Sequence, residues 1–198
     1  MPFWSTDFQE DVTLKDPKRA FRFTVSIMGI NSVNGGPVLW YATSVTKPSF
    51  TIAATDHAFL NHTFKYPSTV KWDPVTIKMV DPAGDPDVAA TLSAIVEASG
   101  YSVPTNASTE NLTSMSKAKA AGALGRVLIT QIDSNGSPIE TWTLWNAFVT
   151  KLEYGGELKY GEEALTEYSM ELTFDWARVD TLAGSSAIAL GGTSFYNS

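Results

Sequence analysis

The chain of 198 residues contains no cysteine and only two histidines, His57 and His62. The absence of cysteine excludes disulfide bonds, thiolate metal sites and cysteine nucleophiles. Basic residues are also few: 14 Lys and Arg against 21 Asp and Glu give a formal charge of 14 − 21 = −7. A chain this acidic lacks the clustered cations that tight nucleic-acid binding requires.

Long apolar runs are missing as well. No stretch of eighteen apolar residues occurs, and the start, 1–7, lacks the basic and apolar regions of a secretory signal. We therefore expect a protein made and kept in a cytoplasm, without a membrane segment. Because 43% of the residues are hydrophobic, a chain of this length can bury roughly 70% of its unfolded surface in one core.

Motifs for catalysis or cofactor binding are lacking too. The sequence has no nucleophile elbow, phosphate-binding loop or dinucleotide fingerprint. His57 and His62 match no standard metal-ligand spacing. Asp81, Asp85 and Asp87 are interrupted by prolines and fit helix capping better than a calcium loop. We predict no enzymatic activity, no cofactor and no metal.

The sequence divides into three parts. An N-terminal arm, 1–20, is charged and broken by prolines, and we expect it to become ordered only on a partner. The folded domain spans 21–180. The tail, 181–198, is rich in Gly, Ser and Ala and is expected to be flexible.

Alternation of apolar and polar residues predicts seven strands. They are 21–27, 38–45, 75–79, 127–132, 139–144, 148–154 and 167–176. Turn residues in 29–37 predict that the first two strands form a hairpin, and those in 133–138 predict a second hairpin. The segment 48–66 is aromatic and irregular, so we interpret it as an interaction loop.

One helix is strongly indicated between Asp85 and Gly100. Asp85 is the predicted cap, Pro86 suits the first helical position, and Gly100 can end the helix. Its predicted buried stripe is Val88, Leu92, Ile95 and Ser99. A second, weaker helix is predicted within 108–123, anchored by Leu112 and Met115. These elements predict a mainly β (α+β) fold, an antiparallel β-sandwich or barrel with one or two packed helices.

Four segments in this order resemble the tail tube proteins of contractile-tailed bacteriophages, the myovirus tail tube family. They are FRFTV (21–25), WDPVTIKMVD (72–81), WTLWNAFV (142–149) and LTFDW (172–176). The resemblance covers about 21–178 and consists of diffuse apolar and aromatic patterns.

The resemblance implies a barrel-like protomer that closes into a hexameric ring, with rings stacked into a tube inside a contractile sheath. Such a tube conducts phage DNA into the host cell. The implied partners are further copies of the chain, the sheath protein, the baseplate tube initiator and the tail terminator. The tape-measure protein and double-stranded DNA would pass through the lumen without tight binding. The implied location is the virion tail, assembled in the host cytoplasm.

Two sets of residues are candidates for these surfaces. The polar face of the last predicted strand is the candidate lumen wall: Glu167, Ser169, Glu171, Thr173 and Asp175. Six whole chains carry 6 × (−7) = −42, a charge that repels DNA phosphates. The candidate ring-stacking residues belong to the interaction loop: Phe50, His57, Phe59, Phe64 and Tyr66.

Three alternatives remain open. The chain could be a baseplate tube initiator, or the tube protein of a type VI secretion-like contractile injection system. More distantly, its 12% aromatic content could line the pocket of a monomeric ligand-binding β-barrel.

Overall fold

The computed structural model describes residues 17–29, 42–82, 87–101, 114–161 and 165–181. These ranges contain ten strands and two helices. The strands are β1 (Phe23–Ile27), β2 (Ala42–Val45), β3 (Phe50–Phe59), β4 (His62–Trp72), β5 (Val75–Val80), β6 (Val127–Ile132), β7 (Pro138–Trp145), β8 (Phe148–Glu153), β9 (Glu167–Thr173) and β10 (Trp176–Thr181). The helices are α1 (Val88–Ala98) and α2 (Lys117–Leu124).

The strands form two four-stranded antiparallel sheets and one separate hairpin. The first sheet has the order β1-β6-β7-β10, and the second has the order β2-β5-β9-β8. β3 and β4 pair only with each other. The predicted fold class, mainly antiparallel β with two helices, is confirmed.

The core lies between the inner faces of the two sheets. Alternate residues of the strands point inward, as the period of two requires. Val75, Ile77 and Met170, for example, are fully or almost fully buried in the second sheet, and Val127 and Leu144 in the first. α1 adds Val88, Leu92 and Ile95 to the same cluster.

α1 begins two residues later than a cap at Asp85 requires. Asp87 is the N-cap: its carboxylate accepts a hydrogen bond from Ala90 N at 3.0 Å. Asp85 and Pro86 lie outside the described residues. The predicted stripe is confirmed, because Val88, Leu92, Ile95 and Ser99 are all buried. Gly100, with φ of 102°, follows the end of the helix as predicted.

α2 is shorter than predicted and has different anchors. Ser116 is its N-cap, and its buried residues are Ala120 and Leu124. Met115 precedes the helix and is exposed, so its predicted anchoring role is wrong. Leu112 lies outside the described residues. The alanines of this segment let the helix lie close to the sheets, where Leu124 fills the core.

The predicted hairpin of the first two strands is wrong. β1 pairs with β6 and β2 pairs with β5, so the two strands belong to different sheets. Turn residues indicate where a strand ends but not which strand it pairs with. Residues 30–41, which include all of the predicted turn except Gly29, lie outside the described residues. The second predicted hairpin is confirmed, since β6 pairs with β7.

The predicted last strand is in fact two strands in different sheets. β9 pairs with β5 and β8 in the second sheet, whereas β10 pairs with β7 in the first. Phe174 and Asp175 form the bend between them. The alternation continues across this bend in the sequence and conceals it. Trp176, which the alternation places on the apolar face of the predicted strand, is 44% exposed.

No helix in the described part of the chain is both long and apolar enough to cross a lipid bilayer.

Candidate assembly surfaces

The segment interpreted as an irregular interaction loop is a regular β-hairpin that extends to Trp72. β3 and β4 pair from Phe50↔Trp72 to Phe59↔His62, and Leu60 and Asn61 form the turn. Every residue from 50 to 71 is exposed. The loop interpretation was wrong because neither face of the hairpin is buried by its own chain, so the sequence lacks the simple apolar and polar alternation of a half-buried strand.

The outer half of this hairpin has two chemically different faces. Between the register shift at Ile52/Ala54 and the turn, every second cross-strand pair lies on the same face of the hairpin. One face carries small and charged residues, with Asp56 opposite Lys65. The other, the aromatic face, carries Thr55, His57, Phe59, His62, Phe64 and Tyr66.

The aromatic face unites four of the five predicted stacking residues: His57, Phe59, Phe64 and Tyr66. The rings contact each other edge to face: His57 and Tyr66 have centroids 6.5 Å apart, and His62 and Phe64 have centroids 4.7 Å apart. This face is therefore an exposed, ordered aromatic surface.

Phe50 lies apart from these rings, at the base of the hairpin. Its ring is 4.9 Å from that of Trp72, and Trp72 in turn lies 5.7 Å from the buried Phe174. These contacts attach the hairpin to the sandwich at the end where β5 begins.

Four of the five predicted lumen residues share one face of β9. Glu167, Ser169, Glu171 and Thr173 alternate with the inward-facing Tyr168, Met170 and Leu172. They belong to the outer face of the second sheet, which is the side turned away from the core.

The outer face of the second sheet is less acidic than β9 alone. Lys151 of β8 lies directly opposite Glu171, and Lys78 of β5 lies opposite Ser169. Lys151 Nζ is 2.7 Å from Glu153 Oε1, and this hydrogen bond, helped by the charges of Glu153 and Glu171, raises the pKa of Lys151. The charged residues of this face are Lys78, Lys151, Glu153, Glu167 and Glu171, so its net charge is 2 − 3 = −1.

Asp175, the fifth predicted lumen residue, is not on this face. It lies in the bend after β9, where both carboxylate oxygens are 2.7 Å from Lys117 Nζ of α2. Asn146 Nδ2 donates a third hydrogen bond at 2.8 Å. The Lys117 and Asn146 hydrogen bonds hold the pKa of Asp175 below its usual value. The structure gives Asp175 a bracing role at the bend.

A buried glutamate with two lysine partners was not predicted from the sequence. Glu140 of β7 is 8% exposed and accepts hydrogen bonds from Lys18, from Lys47 Nζ at 2.7 Å and from Trp142 Nε1 at 2.6 Å. Burial alone would raise its pKa, but these hydrogen bonds and the charge of Lys47 lower it to about 2. Lys47, just after β2, also donates to Gln131 Oε1 at 2.9 Å. The cluster thus joins the two sheets.

The outer face of the first sheet carries an aromatic pair. Trp145 and Trp176 lie opposite each other on β7 and β10 and stack with centroids 6.0 Å apart. The Arg126 guanidinium lies 5.4 Å from the Trp145 ring centre. The outer face of the first sheet therefore carries stacked tryptophans beside polar residues such as Thr141 and Arg178, whereas that of the second sheet has charged and hydroxyl side chains around β9.

In the described ranges, no three His, Asp or Glu side chains come together in a way that could hold a metal ion.

Comparison by sequence finds no relatives: no protein-family model matches the chain, and no curated protein is detectably similar to it.

Comparison by structure finds the same fold in chains of contractile particles. A chain from the six-fold symmetrised baseplate of the anti-feeding prophage matches with a TM-score of 0.60 at 15% identity, over 85% of this chain and 98% of that one. A chain from the sheath/tube terminator of an extracellular contractile injection system, PVC, matches with a TM-score of 0.59 at 16% identity, over 85% and 100%. A chain of the PVC sheath-tube complex matches with a TM-score of 0.54 at 17% identity, over 84% and 93%.

Proposed function

We propose that this chain is the tube subunit of a contractile tail, in which six copies close into a ring and rings stack into a hollow tube. The tube conducts phage DNA out of the virion during contraction, and the protein has a structural rather than a catalytic role. The observation that carries the proposal is the hairpin 50–72, which is exposed along its length, on a fold similar to chains of contractile particles.

The hairpin supports assembly because an isolated two-stranded hairpin is marginally stable in water. Its aromatic face exposes Phe59, Phe64 and Tyr66 by 61%, 45% and 55%. Aromatic residues are favoured at the centre of protein interfaces. A second protein surface that covers this face is therefore the economical explanation for it.

Ring closure is supported by the edges of the sheets. β2 and β8 are the edge strands of the second sheet within the described chain, and β1 and β10 are those of the first. Exposed edges are prone to uncontrolled pairing unless another chain covers them. Head-to-tail contacts between neighbouring copies cover both edges and close into a ring when the rotation permits.

The outer face of the second sheet is the better candidate for the channel wall, because its polar side chains tolerate water. The tryptophan pair on the first sheet suits contact with protein, and we assign that side to the sheath. The wall charge is −1 per copy, or 6 × (−1) = −6 per ring. A wall that is weakly negative does not bind DNA phosphates, nor does it bind a tape-measure protein tightly.

Electron microscopy and light scattering of the purified protein test the assembly. We expect rings or hollow tubes for the wild type, and rings that fail to stack for Phe64→Ser, whose exposed side chain contributes to the aromatic face. Thr63→Ser, on the other face, is the matched control and should stack normally. A protein that stays monomeric at every concentration, alone and with purified tail ends, would contradict the proposal and favour the ligand-binding barrel.

The channel assignment has its own test in particles assembled with variant subunits. Glu153→Lys with Glu171→Lys changes the wall charge from −1 to +3 per copy, or from −6 to +18 per ring. Attraction between this wall and DNA phosphates should slow DNA ejection measurably. Glu97→Lys, a single charge reversal on the exposed side of α1, is the control. Ejection at the wild-type rate from the double variant would remove these residues from the channel.

A second candidate function is a tube-initiating or terminating ring, or the tube of an injection particle that carries protein. It is favoured by the structural similarity to chains of a baseplate and of a tube terminator in injection systems. Quantifying the chain in purified particles separates these functions, because a tube subunit occurs in many rings and an initiator in one. DNA or protein cargo in the same particles separates phage tail from injection system.

A further inference from the structure

Exposed apolar side chains are concentrated at two places in the described chain. Of its sixteen exposed large hydrophobic side chains, seven lie in the hairpin 50–72 and four in the described loop residues 154–161 and 165–166 between β8 and β9. The loop residues are Tyr154, Leu158, Tyr160 and Leu165, and Leu158 and Tyr160 are among the most exposed in the protein.

These two places are at opposite ends of the second sheet. The hairpin leads into β5 at Val75, which pairs with Leu172 near the end of β9. The loop enters β9 at Glu167, which pairs with Val80 at the other end of β5. The five residue steps from Val75 to Val80 separate the two ends by about 17 Å.

The described parts of the loop form a groove of about 790 Å³. Its lining combines Leu158, Tyr160 and Leu165 with Glu157, Lys159 and Glu167. Clefts of this size accommodate several side chains.

The chain on either side of the groove is anchored to neighbouring elements. Tyr154 shares a hydrogen bond of 2.8 Å with Ser93 of α1, and the Tyr168 hydroxyl donates to Asp81 at 2.9 Å. Asp81 N also donates to Thr166 O at 3.3 Å. Both ends of the segment that forms the groove are therefore fixed, which reduces the ordering cost of binding.

The charges of the two places are complementary. The hairpin sequence 50–72 contains Lys65 and Lys71 against Asp56, which gives 2 − 1 = +1 with neutral histidines. The described residues of 154–167 contain Glu157 and Glu167 against Lys159, which gives 1 − 2 = −1. Two copies that meet head to tail bring opposite charges together, whereas hairpin against hairpin or loop against loop brings like charges together.

We infer that the groove lined by residues 156–161 and 165–167 receives the hairpin tip of a second copy of this chain, in the adjacent ring. This inference rests on the proposed function and adds the acceptor for the hairpin. The contact is heterologous, so it repeats along an axis without closing, as a stacked tube requires. The tip residues Phe59 and Leu60 meet Leu158, Tyr160 and Leu165.

Engineered cysteines test the contact cleanly, because the natural chain has none. Leu60→Cys and Leu158→Cys alter two side chains that are 90% and 85% exposed, so both variants should fold. Mixed, assembled and mildly oxidised, they should give disulfide-linked dimers on a non-reducing gel. The double variant in one chain should give a ladder of longer multimers.

The control is Leu60→Cys mixed with Ala118→Cys, an exposed position in the first turn of α2. Lys117 beside it pairs with Asp175 at the hairpin end of the sheet, so Ala118 lies away from the groove. Tubes in the microscope without cross-linking of positions 60 and 158 above this control would overturn the inference and leave the proposed function standing. Linkage of Leu60→Cys to itself would also overturn it. Absence of rings and tubes would instead refute the proposed function.

Discussion

The most direct test of the fold energetics is the substitution Glu140→Gln. Glutamine keeps the size of the side chain and its acceptor for Trp142 Nε1, but it removes the negative charge that Lys18 and Lys47 surround. The variant therefore isolates the electrostatic part of the cluster that joins the two sheets.

The size of the effect follows from the pKa of Glu140, which folding lowers from 4.5 to about 2. A difference of this size corresponds to about 3 kcal/mol of unfolding free energy at neutral pH. The two lysines are 46% and 49% exposed, so water screens part of their attraction. We expect Glu140→Gln to lower the free energy of unfolding by roughly 2 kcal/mol at neutral pH.

The pH dependence has a definite sign. Because folding lowers the pKa of Glu140, its contribution is fully present above the ordinary value of 4.5 and is lost as the pH falls through about 2. The stability difference between wild type and Glu140→Gln should therefore be constant near neutrality and shrink across this window. Other carboxylates titrate in both proteins, so they cancel in the difference.

Urea unfolding, followed by tryptophan fluorescence at equal protein concentrations and several pH values, measures this difference. Glu97→Gln, on the exposed side of α1, removes the same charge without a buried partner and should change stability by less than about 0.5 kcal/mol. The reasoning is refuted if Glu140→Gln behaves like this control, or if its effect stays the same from neutral pH to below the acid window.

Three further predictions concern local geometry. Gly29→Ala should lower the free energy of unfolding by about 3 kcal/mol or more in thermal or urea unfolding, because the added Cβ would lie 2.1 Å from a backbone oxygen of α2. Gly122→Ala has open space around the added Cβ and should raise the free energy of unfolding by up to about 1 kcal/mol. Equal effects of the two substitutions would contradict the packing around Gly29. Asp87→Ala should cost about 1 kcal/mol, whereas Asp87→Asn should cost much less because it keeps the cap; equal losses would argue against capping. Lys117→Met should raise the pKa of Asp175 in an NMR titration, and an unchanged value would show that the ion pair is absent in solution.

The core was predictable because it obeys a period that the sequence displays. In β5 and β9 the residues that alternate in the sequence alternate in burial, and the stripe of α1 is buried as its spacing indicates. Strand pairing was not predictable in the same way. Whether β1 meets β2 or β6 depends on residues far apart in the chain, and the turn signals between β1 and β2 report only local backbone preference.

The hairpin 50–72 was not predicted as a pair of strands, for a different physical reason. Periodicity reveals a strand when one face is buried by the same chain, and here both faces are exposed. The β-branched and aromatic residues of 50–72 were the remaining signal for strands, and they also suggested an interaction surface. The four predicted stacking residues share one face only because β3 and β4 pair in a particular register.

The charge of the candidate channel wall shows most clearly what one strand cannot reveal. In sequence, β9 presents Glu167 and Glu171 on its polar side, and the whole chain carries −7. Pairing brings Lys78 from β5 and both Lys151 and Glu153 from β8 onto the same face, and the net charge of the wall becomes 2 − 3 = −1. The net charge of a sheet face depends on the side chains of all its strands. A tube can therefore be acidic overall while its wall is nearly neutral. Such a wall neither holds DNA phosphates nor opposes their entry strongly.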